Sequence, residues 1–447
     1  MKMQAKGKYK FKQATVASPN EYLNISLGVE KYLKKYELST SDGICWKKKG
    51  ATWNEVSEDE IDLSFYSGNT GILYFYLKLY EVTQDQQYKD TILQASSYIA
   101  SNWRNYFNQT PIFGSDFMSN GLYMGVGGIG LILLETYKLI GSEAAKQGAL
   151  EIYEYYKEIS QKSDNGIYWS NSPAVAMDGG IILFFLEIHK IFGFDEAKDF
   201  IIAAGNHYIT SKTEHEDSYE YRGWPGPGTR PNYEFGTAGA GYILTLLYEF
   251  TGEDKFLDAA KKADAYMRSI KIPQPKGYLH PYDTEMEHPI YFLSSCHGVG
   301  GNSKLYYKLY ELTKDNDYLS QIEQMVDGIE SQGAPENTSD GFWNTLCFCC
   351  GHAGMLHYFI ALYNTLGDER YLDLAHRTAS ILIGEAIKDI DGSVYWPMAF
   401  WRVKPDFLTV DLGFHDGITG IATVLLEIYL LEKNEYKWNR LIDDPFN

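Results

Sequence analysis

Seven times along the chain, a Gly-containing turn is followed by a block of mostly apolar residues. The block after Gly68-Asn69-Thr70-Gly71 reads ILYFYLKLYE, and the block after Gly125-Val126-Gly127-Gly128 reads IGLILLETYK. Blocks that are apolar almost all round predict helices buried on most sides. The seven turns lie at 68–71, 125–128, 177–180, 236–239, 298–301, 351–354 and 417–420, the third of them degenerate.

A second kind of segment lies between these blocks and mixes charged with apolar residues. In the stretch LDAAKKADAYMRSI, apolar side chains recur at helical spacing, with lysine and aspartate between them. This pattern is typical of helices with one buried face. The segments are 20–37, 85–104, 142–161, 194–212, 252–270, 315–331 and 367–386.

The alternation of the two helix types predicts seven repeats. Successive closing glycines are 52 to 66 residues apart, which fits two helices and two connections per repeat. We therefore expect an all-α fold, an (α/α)7 toroid of seven inner and seven outer helices forming one domain over 1–447. No strand pattern competes, although short strands in the loops are compatible with it. The turn glycines are expected to allow close approach of backbones and positive φ.

Composition narrows the classes of partner and location. A net charge of −19 excludes an extended nucleic-acid surface, which needs clustered cations. No stretch of about 18 apolar residues occurs, so the chain is not expected to be an integral membrane protein. Residues 1–13 are Lys-rich without an apolar core, unlike a secretory signal. Five cysteines, an odd count, do not resemble a disulfide framework, so a reducing cytoplasm is expected.

Four of those cysteines fall within one window and carry the candidate chemistry. They belong to Cys296-His297-Gly298 and to the stretch Cys347-Phe348-Cys349-Cys350-Gly351. Clustered thiolates at Gly-rich turns favour a soft metal, and Zn²⁺ is the expected ion. The fifth, Cys45, lies in the irregular segment 39–62 and is interpreted as a structural or surface thiol.

Aligning the repeats on their first glycine, without the degenerate third, predicts which side chains meet. Equivalent positions of a closed toroid face the same mouth. The residues two before that glycine are Tyr66, Tyr123, Glu234, Cys296, Cys349 and His415. The residues one before it are Ser67, Met124, Phe235, His297, Cys350 and Asp416.

The alignment predicts the metal ligands Cys296, Cys349 and Cys350. Cys347, His297 and His352 remain competitors, and one of them would close the site. Three protein ligands leave one tetrahedral position open, as in catalytic zinc sites. An electron-rich, thiolate-bound zinc suits thiol alkylation better than hydrolysis.

Acid-base groups are also expected at this mouth. The candidates are His415, Asp416, Glu234, Tyr123 and Tyr233, because acid-base catalysis needs only a suitable group within reach. His415 and Asp416 equally fit a turn that caps the last inner helix.

Segment 213–235 is polar, aromatic and rich in Pro and Gly. Long loops of this kind serve either as lids and substrate-binding loops or as ordinary surface connections.

From about residue 20 to 432, the repeat turns with Cys296-His297-Gly298 and Cys349-Cys350-Gly351 resemble the lanthionine synthetase C-like family. The resemblance implies an α/α toroid with a central zinc. It also implies addition of a peptide cysteine thiol to dehydroalanine or dehydrobutyrine, which forms a thioether ring. The implied partners are a dehydrated precursor peptide bearing a leader, a dehydratase and a transporter.

This chain departs from the family pattern at several positions. Cys350 stands where a histidine ligand is usual, which is similar to a subgroup with a Cys-Cys-Gly motif. Phe235 stands at the position of the family's acid-base histidine, and Phe292 near that of its arginine. The family's aspartate near the third repeat has no clear counterpart.

Three alternatives stay open. The first is a zinc-binding scaffold or peptide-binding partner in a maturation complex, suggested by Phe235. The second is an enzyme that adds glutathione or another small thiol to an electrophile. A carbohydrate-active (α/α) barrel is weaker, because such enzymes use paired carboxylates and need no cysteine pair.

Overall fold

The computed structural model describes residues 9–47, 61–109, 118–399, 401–404 and 407–446. Fourteen α-helices lie in these ranges. They are α1 (Asn20–Leu33), α2 (Asn69–Thr83), α3 (Gln86–Gln109), α4 (Val126–Ile140), α5 (Glu143–Ile159), α6 (Gly180–Phe192), α7 (Asp195–Tyr208), α8 (Thr237–Thr251), α9 (Asp254–Ser269), α10 (Val299–Thr313), α11 (Asp317–Ser331), α12 (His352–Leu366), α13 (Glu369–Gly384) and α14 (Ile418–Glu432).

The even-numbered helices form an inner ring, and the odd-numbered ones pack outside it. Helix α14 packs against α2 and closes the ring, while α1 packs on α14 as its outer partner. Burial separates the two sets as the patterns predict: twelve of the fifteen residues of α14 are buried, but only six of the seventeen of α5. The predicted all-α toroid is confirmed. No helix in the described part of the chain is long and apolar enough to cross a membrane.

Antiparallel hairpins follow five of the outer helices. They consist of β1 (Glu37–Thr40) with β2 (Gly43–Trp46), β3 (Gln161–Ser163) with β4 (Gly166–Tyr168), β5 (Lys212–Glu214) with β6 (Tyr219–Tyr221), β7 (Ile272–Pro273) with β8 (Tyr278–Leu279), and β9 (Ile387–Lys388) with β10 (Val394–Tyr395).

These hairpins explain why several outer helices end earlier than predicted. The predicted helix 20–37 ends at Leu33, because Glu37 already pairs with Trp46 across the first hairpin. The predicted helix 194–212 ends at Tyr208, because Lys212 pairs with Tyr221. Cross-strand hydrogen bonds there take over the backbone groups that a further helical turn would use. Cys45 lies in the first hairpin and is buried, so it is not a surface thiol. Residues 48–60 of the predicted irregular segment lie outside the described ranges.

The turn glycines are required for close packing rather than for backbone handedness. The six regular turns place a glycine with φ between −113° and −138° before the inner helix, so the expectation of positive φ is wrong. Close approach is confirmed at the closing glycine Gly239, where a Cβ would collide with the carbonyl oxygen of Tyr233. The degenerate third turn instead forms a π-helical turn over Val175–Gly179, with Met177 outside helical φ and ψ.

Residues 440–446 pack inside the ring, against the inner helices and against side chains of the Gly-rich turns. The hydroxyl of Tyr242 donates to the carbonyl of Ile442 at 2.7 Å, and that of Tyr233 donates to the carbonyl of Asp443 at 2.8 Å. Arg440 pairs with Glu427 at 2.8 Å and with Asp444 at 2.6 Å. The C-terminal segment therefore fills the interior below the turns, and the cleft described next opens at the turns themselves.

Candidate metal centre and cleft

The turns are tied together by backbone hydrogen bonds that run round the mouth. Each bond joins the residue two before the first glycine of one repeat to its neighbour in the next repeat, so the register predicted from the sequence is the register of the fold. The second and third repeats deviate where they meet, because Leu122 instead of Tyr123 is the donor there and the π-helical turn contributes Ala176. The bonds are Tyr66 N to Tyr123 O (2.9 Å), Leu122 N to Ala176 O (3.1 Å), Ala176 N to Glu234 O (3.1 Å), Glu234 N to Cys296 O (3.0 Å), Cys296 N to Cys349 O (3.3 Å), Cys349 N to His415 O (2.8 Å) and His415 N to Tyr66 O (2.9 Å).

Three thiols meet in this ring. The Sγ atom of Cys350 lies 3.3 Å from the Sγ atoms of both Cys296 and Cys349, and all three sulfurs lie within 4.8 Å of one another. Sulfurs bound at about 2.3 Å to one tetrahedral ion are about 3.8 Å apart, which falls between these separations. All three side chains are buried. The donor set is therefore able to hold a soft metal ion such as Zn²⁺.

The local electrostatics let one of these thiols ionise. Burial raises the pKa of Cys296, but hydrogen bonds from Cys349 and Cys350 outweigh it and lower that pKa to about 7. The pKa of Cys349 is held well above its usual range, first by burial. Helices α10 and α12 begin three residues after Cys296 and two after Cys350, and their N-termini favour negative charge there.

The three competing ligands occupy different places. His297, with Glu234, lies within 4.8 Å of the Cys296 sulfur in a second cluster that overlaps the first. Cys347 instead accepts a hydrogen bond from Thr345 at 3.3 Å, and burial raises its pKa to about 12. His352 bonds the carbonyl of Pro335 through Nε2 at 2.8 Å. Among the described residues, neither Cys347 nor His352 belongs to a cluster able to hold a metal.

A cleft of about 600 Å³ opens onto the three thiols. Its wall is mostly apolar and includes seven aromatic rings, and three cations also line it. The lining comprises Tyr66, Met118, Met124, Trp224, Pro225, Gly226, Arg230, Glu234, Phe235, Tyr282, Phe292, Cys296, His297, Trp343, Cys349, Cys350, Trp401, Arg402, Val403 and Lys404. Segment 213–235, whose sequence suits either a substrate loop or a surface connection, thus contributes to the wall from Trp224 to Phe235.

Glu234 is the acid-base candidate that faces this cleft. Burial raises the pKa of its carboxyl group well above the usual range, and the nearby Cys349 adds to this while Arg230 opposes it. Its Oε2 atom lies 3.8 Å from Nε2 of His297. Burial therefore favours the protonated form of this carboxyl group beside the thiols.

His297 sits within an aromatic enclosure. Its ring stacks on Phe235 at 5.6 Å and meets Tyr282 edge-on at 4.9 Å. Burial, and then the charge of Arg230, keep its pKa well below the usual value, so the ring is neutral. Its Nδ1 atom is buried without a hydrogen-bond partner among the described residues.

The other acid-base candidates do not line the cleft. Tyr123 donates its hydroxyl to the Asp443 carboxylate at 2.8 Å, and Tyr233 bonds the backbone of that residue. Ser67 donates to Asp416 at 2.5 Å. His415 stacks on Tyr66 at 5.1 Å, and burial, followed by the charge of Lys304, lowers its pKa to about 3. These groups contact one another or residues 433–446.

Several cleft residues were not anticipated from the sequence. They come from loops: Trp224 and Arg230 precede α8, Tyr282 follows β8, and Trp401 with Arg402 precedes α14. One signal was available, since Arg230 stands four residues before Glu234, within the repeat register.

A protein family model and a solved structure each match most of this chain. The family model described as lanthionine synthetase C-like protein matches residues 59–442. The solved structure of nisin cyclase matches with a TM-score of 0.63 at 15% identity, covering 92% of this chain and 94% of that one. No curated protein sequence matches significantly.

Weaker structural matches include two carbohydrate enzymes. A glycoside hydrolase family 76 mannosidase from Bacteroides thetaiotaomicron has a TM-score of 0.47 at 14% identity, covering 93% of this chain and 99% of that one. Cellobiose 2-epimerase from Bacillus thermoamylovorans has a TM-score of 0.44 at 10% identity, covering 70% and 87%.

Proposed function

From the premise that this chain belongs to the lanthionine synthetase C-like family, we propose that it is a zinc-dependent cyclase. It adds a peptide cysteine thiol to a dehydroalanine or dehydrobutyrine in the same peptide, forming a thioether ring. The observation that carries this proposal is the cluster of Cys296, Cys349 and Cys350, which opens onto a peptide-sized cleft.

Cys296, Cys349 and Cys350 would hold the ion. Zn²⁺ at such a site supplies the Lewis acidity that keeps a substrate thiol deprotonated at neutral pH. Because only three protein ligands are assigned, a substrate thiol in the cleft could serve as the fourth.

The chain's own side chains supply the rest of the reaction. The substrate thiolate attacks the β-carbon, the C–S bond forms, and the double-bond electrons move toward the acyl oxygen. A proton must then reach the α-carbon. Glu234 carries a proton beside the thiols and is the group we assign to deliver it. The aromatic wall orients the peptide and keeps water away from the reacting atoms.

The substrate and partners follow from the same assignment. The substrate is a dehydrated precursor peptide, and a dehydratase must form its dehydro residues before this enzyme acts. A transporter that exports the product is a further proposed partner, and the cytoplasm is the proposed location. His415, Asp416 and Tyr123 remain predicted acid-base groups, but Glu234 has the more favourable position because it alone of these four lines the cleft.

Zinc content per chain tests the metal centre. We expect about one Zn²⁺ in the purified protein, as one tetrahedral site requires, and a sharp loss in Cys350→Ala. Cys347→Ala is the matched control, because its thiol lies in the same motif but outside the cluster, and it should retain the metal. A metal-free native protein, or full occupancy in Cys350→Ala, would contradict the assignment.

A second candidate is a zinc-binding scaffold that holds the peptide for another enzyme. The observation that favours it is Phe235, an apolar ring at the position of the family's acid-base histidine. Turnover of a dehydrated peptide by this chain alone would exclude it. Peptide binding without turnover, in protein with a full complement of zinc, would support it.

A further inference from the structure

Arg230 is an unpaired cation at the candidate active site. It forms no hydrogen bond or ion pair with any residue that the structure describes, and its Nε atom is buried without an acceptor. Arginine carries five donors and stays charged, so leaving such a group half-buried without an anion is costly. A position of this kind is typical of a side chain kept for a ligand.

Aromatic rings hold the Arg230 guanidinium in place. Its central carbon lies 3.6 Å from the ring centre of Trp224 and 4.8 Å from that of Tyr282. Tyr282 in turn stacks on Phe292 at 4.5 Å. Stacking orients a guanidinium without using its N–H donors, so they remain available to an oxygen in the cleft.

The guanidinium is close to the thiols. Its charge interacts with Cys296 and with Glu234, and all three side chains line the same cleft. Arg402 and Lys404 also line it, but Arg402 contacts the carbonyl of Asp340 at 3.4 Å, and Lys404 lies over Trp401 at 4.2 Å. The charge of Arg230 acts on both Cys296 and Glu234, whereas that of Arg402 acts on Cys350.

The repeat register relates Arg230 to Phe292. Arg230 stands four residues before Glu234, and Phe292 stands four residues before Cys296. Because Glu234 and Cys296 are neighbours in the ring of backbone bonds, Arg230 and Phe292 are equivalent positions of adjacent repeats. Phe292 is also where the family resemblance implies an arginine.

The neighbouring pair shows the same exchange. His297 and Phe235 each stand directly before the first glycine of their repeats, and their rings stack at 5.6 Å. The phenylalanine is in the repeat that carries Arg230, and the histidine is in the repeat that carries Phe292. Relative to the pattern that the family resemblance implies, the guanidinium and the imidazole thus each stand in the adjacent repeat.

We propose that Arg230 is a catalytic residue that binds the acyl oxygen of the dehydro residue, one repeat away from the position expected for this cation. The inference rests on the proposed cyclase function. As the C–S bond forms, negative charge develops on that oxygen, and the guanidinium donates hydrogen bonds to it. The charge disappears when the α-carbon receives its proton, so the addition is balanced without a further reactant.

Steady-state kinetics of Arg230 variants on a dehydrated peptide test this role. Arg230→Met should lower kcat by about 10²-fold, as loss of an oxyanion donor does, with little change in KM or zinc content. Arg230→Lys keeps the charge and should retain more activity than Arg230→Met. Arg222→Gln is the control in the same loop, because Arg222 pairs with Glu220 outside the cleft lining, and it should match the wild type.

Returning the guanidinium to the adjacent repeat gives a test that a merely structural role would not pass. Arg230→Phe should be as slow as Arg230→Met, and the double variant Arg230→Phe/Phe292→Arg should recover most of the lost kcat. Three results would overturn the inference: an unchanged kcat in Arg230→Met, an effect on KM alone, or a folded double variant that stays as slow as Arg230→Phe. If the zinc-loaded wild type itself forms no thioether, the proposed function fails along with the inference, and this case is distinguished by the inactive wild type.

Discussion

Two groups of repeats around the same mouth share one backbone register, but their side chains have different surroundings. In the fourth to sixth repeats, Glu234, Cys296 and Cys349 face the cleft. In the seventh and second repeats, His415 and Tyr123 hold equivalent positions, yet Tyr123 bonds Asp443 of the C-terminal segment. The repeat determines which backbones meet at the mouth. Contacts such as that of Tyr123 with Asp443 determine which side chains remain free for chemistry.

The largest effect should come from removing a thiol that faces the cleft. Cys296→Ala removes one of three sulfurs, so we expect metal loss and a fall in turnover of at least about 10³-fold. Metal content and thioether formation measure both. Cys45→Ala, a buried thiol in the first hairpin, serves as a second control and should keep both properties. Retention of metal by Cys296→Ala would contradict the three-thiol site.

Glu234, which lines the cleft, and Asp416, which does not, should differ in function. Glu234→Gln removes a proton donor facing the cleft, so kcat should fall by about 10²-fold, within the range of general acid catalysis. Asp416→Asn changes an acid that bonds Ser67 outside the cleft lining and should lower kcat less than Glu234→Gln does. Steady-state kinetics on one peptide compares them. A larger loss of kcat in Asp416→Asn than in Glu234→Gln would contradict the assignment of Glu234 as the proton donor.

The C-terminal segment should contribute to stability rather than to chemistry. Asp444 lies 2.7 Å from His357 and 2.6 Å from Arg440. Removing this anion by Asp444→Asn should lower the free energy of unfolding by about 3 kcal/mol, because the buried Arg440 loses a charged partner and His357 loses a charged hydrogen-bond acceptor. Urea denaturation measures it, and zinc content should stay at the wild-type level.

The contacts of Asp444 with Arg440 and His357 also predict how the stability of the fold depends on pH. Burial opposes ionisation of Asp444, but Arg440 and His357 outweigh it and hold its pKa far below the usual range. A depressed carboxyl pKa stabilises the fold above the unfolded value of about 3.9, and that stabilisation is lost as pH falls below it. Wild-type stability should therefore drop more steeply below about pH 4 than that of Asp444→Asn. Parallel pH profiles would contradict the ion pair.

The smallest expected effect is at Tyr123, which sharpens the comparison within the ring. Tyr123→Phe loses one hydrogen bond to a carboxylate and should cost about 2 kcal/mol of stability. Tyr137→Phe, in which a half-buried ring stacks on Phe192, is the control and should cost less than about 0.5 kcal/mol. A drop in kcat for Tyr123→Phe at unchanged stability would instead restore Tyr123 as an acid-base group.

What the sequence predicted well depends on local rules. The inner helices begin at the Gly-rich turns, because only residues without a Cβ permit the approach seen at Gly239. The thiol cluster was predictable because Cys296 and Cys349 share a register position. The ends of the outer helices were missed, because the hairpins that replace them are stabilised by pairing across strands, as between Glu37 and Trp46.

The remaining features depend on contacts distant in sequence. The orientation of Tyr123 is set by Asp443, 320 residues away. Trp224 and Tyr282 reach the cleft from loops whose paths no periodicity describes. Met177 departs from the turn pattern within a π-helical segment, which shifts the third repeat to Ala176 in the ring.

The most direct test of the central claim is mass spectrometry of a dehydrated, cysteine-containing peptide incubated with the zinc-loaded protein. The account predicts that the free thiol and the dehydro residue disappear together, without a change in mass. A chelator should stop the reaction, and added Zn²⁺ should restore it. If zinc-loaded wild-type protein leaves both groups intact, the claim that this cleft forms thioethers is contradicted.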